Sequence, residues 1–241
     1  MTTESARQSG PNATESGKQR FDPGFVGKTH DDLPALPDDA HVNRAGAHFD
    51  PRAWFDNPAR PLEVEIGSGK GTFLVQHAPT APEHNFLGIE YASEVVWYAM
   101  DRIRRHDLRH VRLLYADAAE FMHWRMPDAS ARVVHLYFPD PWPKTRHHKR
   151  RMVSDRFLSD VHRVLEPGGE LRVVTDHPDY WAWMESHFDR WCADDHTPRF
   201  ERLPFETPGS AGEGEMVGTN FERKYRREGR PFHGAILRKD T

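Results

Sequence analysis

Residues 133 to 151 hold the densest chemistry in the chain: Val-Val-His-Leu-Tyr-Phe-Pro-Asp-Pro-Trp-Pro-Lys-Thr-Arg-His-His-Lys-Arg-Arg. Asp140 stands between two prolines, with Trp142 and Pro143 behind it. Three prolines in five residues leave few backbone conformations, so the carboxylate and the indole are presented on a stiff loop. Lys144, Arg146, Lys149, Arg150 and Arg151 follow at once, five cations in eight residues, with His147 and His148 among them and no acid. One carboxylate beside an aromatic plate and a cationic run suits chemistry on a base carried by a polyanion. The plainer reading is a proline-rich turn before a solvated basic helix start. Whatever its use, the loop needs an element to aim it. Val133, Val134, Leu136, Tyr137 and Phe138 form a β-branched and aromatic run that predicts a strand. Pro139, which can donate no ladder hydrogen bond, ends it.

A second stretch points to a small ligand. Leu62-Glu63-Val64-Glu65-Ile66 alternates like a strand, Gly67-Ser68-Gly69-Lys70-Gly71 follows, and Thr72 to Ala78 reads as a helix. In a strand, glycine turn and helix, backbone N–H groups and the helix start can approach a ligand closely. The spacing is G-x-G-x-G. A dinucleotide fingerprint would need glycine where Thr72 stands, and a phosphate loop would need glycine at 64 and Ser or Thr at 71. The turn therefore suits a ligand without a pyrophosphate, and S-adenosylmethionine is the obvious candidate.

The remaining elements place acids at strand ends. Phe86 to Glu90 is a second strand, ending 23 residues after Gly67, where an acid binds a ribose diol. The alternative for Glu90 is a surface acid at a strand end. Ser93 can cap a helix with Val95, Val96, Ala99 and Ile103 on one stripe. Val111 to Tyr115 is a third strand, and Asp117 after it is placed to accept from an adenine amino group or to cap the next helix. Ser154 caps a helix whose apolar face is Phe157, Leu158, Val161, Val164 and Leu165, stopped by Pro167-Gly168-Gly169. Leu171 to Thr175 is the fifth strand, with Asp176 at its end. Trp181, Met184, Phe188 and Trp191 share one side of a helix, a stripe that reads as core. Residues 206 to 218 read as a mobile loop, and residues 223 to 230 are cation-rich. Phe232 to Leu237 is expected to be a last strand.

Composition bounds the partners. The chain has 241 residues, a formal net charge of −4 and a mean hydropathy of −0.80. Any nucleic-acid binding must therefore come from local patches. One cysteine, Cys192, excludes an internal disulfide and fits a reducing, cytoplasmic setting. No apolar run approaches a bilayer span, and the first residues lack the apolar core of a signal peptide. Sixteen histidines are scattered without a His-Glu-x-x-His pair, so no metal site is expected. Residues 1–28, rich in Ser, Thr, Gly, Glu and Gln, are expected to be a disordered tail before one domain at 29–241. Within it, residues 29–60 form an irregular segment anchored by Leu33, Leu36, Phe49, Trp54 and Phe55.

Taken together, these motifs resemble the bacterial tRNA (guanine-N7-)-methyltransferases. The resemblance rests on Val64 to Gly71, Pro139-Asp140-Pro141-Trp142-Pro143-Lys144, His148 to Arg151, Thr175-Asp176 and Thr219-Asn220-Phe221-Glu222, in that order. The Pro-Asp-Pro-Trp element with its basic run is specific to that family, whereas the glycine turn is shared by many methyltransferases. Residues 1–59 match little, and Glu63 adds a second acid within the first strand. The resemblance implies an α/β, Rossmann-like class I methyltransferase fold. Its sheet would have seven mostly parallel strands, helices on both faces and an antiparallel last strand. It implies methyl transfer from S-adenosylmethionine to guanine N7 at position 46 in the tRNA variable loop. It further implies cofactor binding by Glu65, Gly67, Gly69, Gly71, Glu90, Asp117 and Asp140, with Asp140 as the catalytic residue. Lys144, Asp176 and Thr219, Asn220, Phe221 and Glu222 would contact substrate. Arg146, His147, His148, Lys149, Arg150 and Arg151 would contact RNA. The expected partner is tRNA, with the chain a monomer or weak homodimer. A nicotinamide-dependent oxidoreductase is disfavoured by Thr72. A non-enzymatic RNA-binding module would not need acids at the ends of four strands.

Overall fold

The computed structural model describes residues 24–195 and 197–240. Eight strands form one sheet: β1 (Gly27–Thr29), β2 (Leu62–Ile66), β3 (Asn85–Glu90), β4 (Val111–Tyr115), β5 (Ala131–Tyr137), β6 (Leu165–Thr175), β7 (Phe200–Leu203) and β8 (His233–Lys239). Their order is β1-β4-β3-β2-β5-β6-β8-β7, and β8 runs antiparallel to both of its neighbours. The order reverses between β2 and β5, which makes the ends of those strands the place for a ligand. Among the described residues six α-helices join them: α1 (Thr72–His77), α2 (Ser93–Arg105), α3 (Ala118–Trp124), α4 (Asp155–Val164), α5 (Pro178–Trp191) and α6 (Asn220–Arg227).

Six of these strands, β2 to β6 and β8, are those read from the sequence; β7 makes up the seven that the resemblance implied without having been placed by residue, and β1 is an addition at the edge. It pairs Gly27 with Leu113 and Thr29 with Tyr115, while Val26 beside it is fully buried. The tail expected through residue 28 therefore gives way to folded chain by Val26. Apolar burial of Val26 and three paired residues outweigh the polar composition before them. The expectation of disorder for residues 1–23 lies outside the described residues. Among the expected anchors of residues 29–60, Phe55 is buried and Phe49 packs on Trp54 at 4.9 Å. Leu36, by contrast, is exposed.

Two core layers clamp the sheet. Leu62, Val64 and Ile66 of β2 face a layer with Phe121, Met122, Phe157, Val161, Met184 and Phe188 from α3, α4 and α5. The other layer joins Phe73 of α1 and Val96, Met100 and Ile103 of α2 to Phe86 and Leu113. The α5 stripe is core as expected, with Trp181 half-buried against His233. Pro167-Gly168-Gly169 does not stop α4. The helix ends at Val164, and Leu165 already pairs with Ala131. The glycines instead lie in a register shift of β6, where a Cβ on Gly169 would stand 2.9 Å from the Glu166 carbonyl oxygen.

The acids of β2 are not where alternation places them. A strand with one wet face would turn Glu63 and Glu65 to solvent. Here α1 covers that face, and both are about 4% exposed. Burial alone would raise the Glu63 carboxyl, but His135, His77 and His84 around it outweigh burial and hold it below the usual carboxylate range.

Candidate active site

A cavity of about 710 Å³ opens at the carboxyl ends of β2, β3, β4 and β5, lined by Glu65, Glu90, Asp117 and Asp140 among others. Each acid arrives by a different local device. Glu90 ends β3, and its Oε2 accepts from Gly69 N at 2.8 Å. Its Oε1 accepts from Tyr91 N at 2.9 Å and Ala92 N at 2.8 Å. One carboxylate thus ties the glycine turn to the start of α2. The residue at the cap of α2 is Ala92, not the expected Ser93, which is already helical. Asp117 is the N-cap of α3, accepting from Glu120 N at 3.1 Å, and also lines the cavity. The capping reading of Asp117 holds, and because a carboxylate has more than one lone pair its place on the cavity wall leaves it able to accept from a ligand as well.

The glycine turn places Gly67 and Gly69 on the cavity wall with φ of 72° and 51°. A Cβ at Gly67 would meet nothing within 4 Å, so the backbone is laid bare for a ligand. Gly71 differs. It has a φ of 65° and packs against α2, where a Cβ would lie 3.2 Å from the Ala99 Cβ. It seats α1 rather than lining the cavity. Gly88 on β3 works the same way, since a Cβ there would fall 2.4 Å from Leu113 Cδ2 and 2.7 Å from Leu74 Cδ1.

At the cavity floor, Glu65 Oε2 and Ser68 Oγ are buried without a hydrogen-bond partner among the described residues. Burial pushes the Glu65 carboxyl well above its usual range, and the charge of Glu90 pushes it the same way. An orphaned buried carboxyl beside an orphaned hydroxyl is costly unless a ligand completes them. A ligand carrying a cation and hydroxyl donors fits that demand, and S-adenosylmethionine has both. Glu65 would hold the cationic end, Glu90 the ribose hydroxyls and Asp117 the adenine amino group.

Asp140 sits exposed at the mouth, beyond the end of β5. The strand ends at Tyr137, and the loop is strained as well as proline-rich. Phe138 has a φ of 53° and Trp142 a φ of 43°. Left-handed conformations at non-glycine residues cost roughly 1–3 kcal/mol each and persist where surroundings over-determine them. Those surroundings are visible. Phe138 N donates to Val174 O at 2.7 Å, and the Phe138 ring packs edge-on to Phe232. Arg150 covers the Trp142 ring at 4.9 Å.

Arg151 supplies the firmest hold, and here the expectation of an RNA contact needs correction. Its side chain is 1% exposed. Its Nε donates to Pro141 O at 2.9 Å, its guanidinium pairs with Asp179, and it lies over Tyr180 and Trp183. A guanidinium so enclosed cannot reach a phosphate. It braces the Asp140 loop from behind. The rest of the run forms a short 3₁₀ helix over Thr145–Arg150. Arg146, Lys149 and Arg150 are exposed on it, as is Lys144 at its cap. His147 packs on Trp142 and His148 on Trp183, both half-buried.

The last motif divides similarly. Asn220 and Phe221 are exposed at the cavity wall, and the buried Thr219 caps α6 by accepting from Glu222 N at 3.1 Å. Glu222 is fully buried and accepts from the backbone N–H groups of Met216, Val217 and Gly218. It folds the loop expected to be mobile and touches no substrate space. Gln76 of α1 ties the same loop by donating to Gly218 O at 2.6 Å. Asp176 is buried and paired with Arg230 at 2.7 Å, so it anchors the cation-rich segment and stands outside the cavity lining. Sequence reasoning missed Tyr91, 72% exposed at the cavity mouth, and Lys224 beside Phe221. An aromatic directly after a strand-ending acid was the available signal for the first.

A family model described as a putative methyltransferase matches residues 59–235. The chain is 39% identical over 191 residues to the tRNA (guanine-N(7)-)-methyltransferase of Nitrobacter hamburgensis, covering 77% of this chain and 71% of that one. It is 37% identical over 186 residues to the protein of that name from Alkalilimnicola ehrlichii, covering 74% and 73%. A third such protein, from Halorhodospira halophila, is 35% identical over 192 residues, covering 76% and 78%. The matched region holds the glycine turn, the Asp140 loop and α6, and the chain belongs to the tRNA (guanine-N7-)-methyltransferase family.

Proposed function

We propose that this chain methylates N7 of guanine in tRNA, at position 46 of the variable loop, with Asp140 as the catalytic residue. The observation that carries the reading is the juxtaposition at the cavity mouth. A braced carboxylate stands between a pocket suited to S-adenosylmethionine and a surface of exposed cations. When bound, the cofactor supplies an activated methyl group on a cationic sulfur. Guanine N7 carries a lone pair and no proton, so the protein need not remove one. Asp140 instead stabilises the positive charge that develops on the purine and orients its N–H edge. Phe221 and Trp142 offer faces on which an unstacked base can rest. Lys144, Arg146, Lys149 and Arg150 hold phosphates without reading sequence. The direct test incubates unmodified tRNA with enzyme and cofactor and maps chain cleavage at 7-methylguanosine. Cleavage at position 46 is expected, and methylation of another atom or another position overturns the reading.

Replacing Lys149 and Arg150 by Ala should weaken tRNA binding and flatten its salt dependence by about 0.7–0.9 for each phosphate no longer neutralised. Cofactor affinity should stay the same. An unchanged slope would mark these residues as a solvated face. Arg151 is left out of that pair because its loss would loosen the loop instead.

Glu65 sets a pH dependence. Burial and the charge of Glu90 raise its carboxyl, so a proton competes there with a bound cation. Protons compete with the ligand, so affinity for S-adenosylmethionine should fall as pH drops, by up to about tenfold per pH unit below the carboxyl's own pKa. It should level off above that value. Titration calorimetry across pH, repeated in buffers of different ionisation enthalpy, reads both the slope and the proton released. Glu65→Gln should bind more weakly with no slope. A parent whose affinity is flat with pH would refute the assignment.

A further inference from the structure

Glu63, His77 and His135 lie on β2, at the end of α1 and in mid-β5, far apart in sequence and together under the cavity floor. One ligand atom from each falls within 4.8 Å of the others. His135 Nε2 is 2.7 Å from Glu63 Oε2, and His77 Nε2 faces the same oxygen at 3.5 Å. Two imidazoles thus converge on one carboxylate oxygen. A tetrahedral zinc ion with bonds of about 2.0–2.1 Å sets neighbouring donors about 3.3 Å apart, between these two distances.

The groups behind the three donors are arranged as metal ligands require. His135 Nδ1 lies 2.8 Å from the Tyr137 hydroxyl, and His77 Nδ1 lies 3.0 Å from Ser210 Oγ. Each ring therefore has its outer nitrogen held by an oxygen while Nε2 points inward, which fixes tautomer and orientation. The second oxygen of Glu63 is held by His84 Nδ1 at 2.6 Å. All three donors have a partner on the side away from the convergence point. A hydrogen-bond network alone would use His135 and His84 fully and leave His77 Nε2 at a distance where a hydrogen bond is weak. Burial adds to the case. The side chains of Glu63 and His135 are 6% and 2% exposed, in a layer otherwise built from Phe73, Phe86 and Tyr137.

We propose that Glu63, His77 and His135 form a Zn²⁺ site, with His84 orienting the carboxylate. The donor set, two imidazoles and one carboxylate, matches borderline cations of this kind. The expectation of no metal site rested on local histidine spacing, and this site is assembled across three elements that no local spacing shows. Tyr137 and Phe73 line the cavity above it, so the ion would stiffen the floor of the ligand pocket. The site stands independently of the proposed reaction.

The test uses the full chain, with any purification tag removed, stripped with a chelator and then titrated with Zn²⁺ or Co²⁺. One equivalent of metal per chain is expected by elemental analysis, with a higher melting temperature and the visible absorption of four-coordinate Co²⁺. His77→Gln, at the end of a short helix, should fold and lose at least tenfold in metal affinity, and Glu63→Gln should lose more. A parent that binds less than about a tenth of an equivalent has only a hydrogen-bonded cluster, which overturns the site. Metal uptake unchanged in His77→Gln overturns it as well, by placing the ion on other histidines.

Discussion

Asp140→Asn should slow single-turnover methylation of tRNA on the order of a hundredfold, with binding of tRNA and cofactor little changed. Asparagine keeps the size of the side chain, and the loop does not depend on the carboxylate for its shape. Phe138 is fixed by its bond to Val174 O, Pro141 by Arg151 and Trp142 by Arg150. What the substitution removes is charge at the point where the purine becomes cationic. Removing one preorganised electrostatic group of this kind commonly costs about a hundredfold or more. The pH profile separates this role from proton abstraction. A residue acting as an obligatory base would make the rate climb with its own titration and reach a plateau. A stabilising carboxylate leaves slow residual activity in Asp140→Asn, directed at the same guanine atom. A variant as fast as the parent would show that the carboxylate has no part in the reaction. Arg151→Lys makes a second probe. It keeps the charge but loses the bond to Pro141 O and the stacking on Tyr180, so the rate should drop while the salt slope of tRNA binding stays put.

The positions of the acids were legible because strand periodicity and glycine punctuation are local signals. Glu90, Asp117 and Asp140 each follow a short apolar run and stand at its carboxyl end, where open α/β sheets collect ligands. The inward turn of Arg151 was not legible. In sequence it is one more cation in a run, and only Asp179, Tyr180 and Trp183, some thirty residues on, make it a brace. Glu222 and Asp176 share that fate, each carrying a charge that reads as surface chemistry until its long-range partners are placed. The burial of Glu63 was hidden for the complementary reason. Alternation in β2 reports two different faces, yet says nothing about whether α1 covers the polar one. The short edge strand β1 escaped because three residues carry too little periodicity to stand out beside a polar tail.

Glu90→Ala should weaken S-adenosylmethionine binding by about 1.5–3 kcal/mol, or roughly tenfold to a hundred-and-fiftyfold, the range for hydrogen bonds to a charged acceptor. The geometry sharpens the expectation. Glu90 already accepts from Gly69, Tyr91 and Ala92, so its carboxylate is held on the cavity wall before any ligand arrives. A ribose hydroxyl would then use its remaining lone pair at little entropic cost. Two contributions therefore mix in the alanine variant: missing ligand bonds and a loosened glycine turn. A cofactor analogue lacking one ribose hydroxyl separates them. On the parent protein the analogue should bind more weakly than S-adenosylmethionine. On Glu90→Ala the two ligands should bind alike, because the acceptor that tells them apart is gone. Melting curves without ligand report the loosened turn on its own. If the variant folds and still discriminates between the two ligands as the parent does, the ribose lies elsewhere, and Glu90 serves only to fasten the turn to α2.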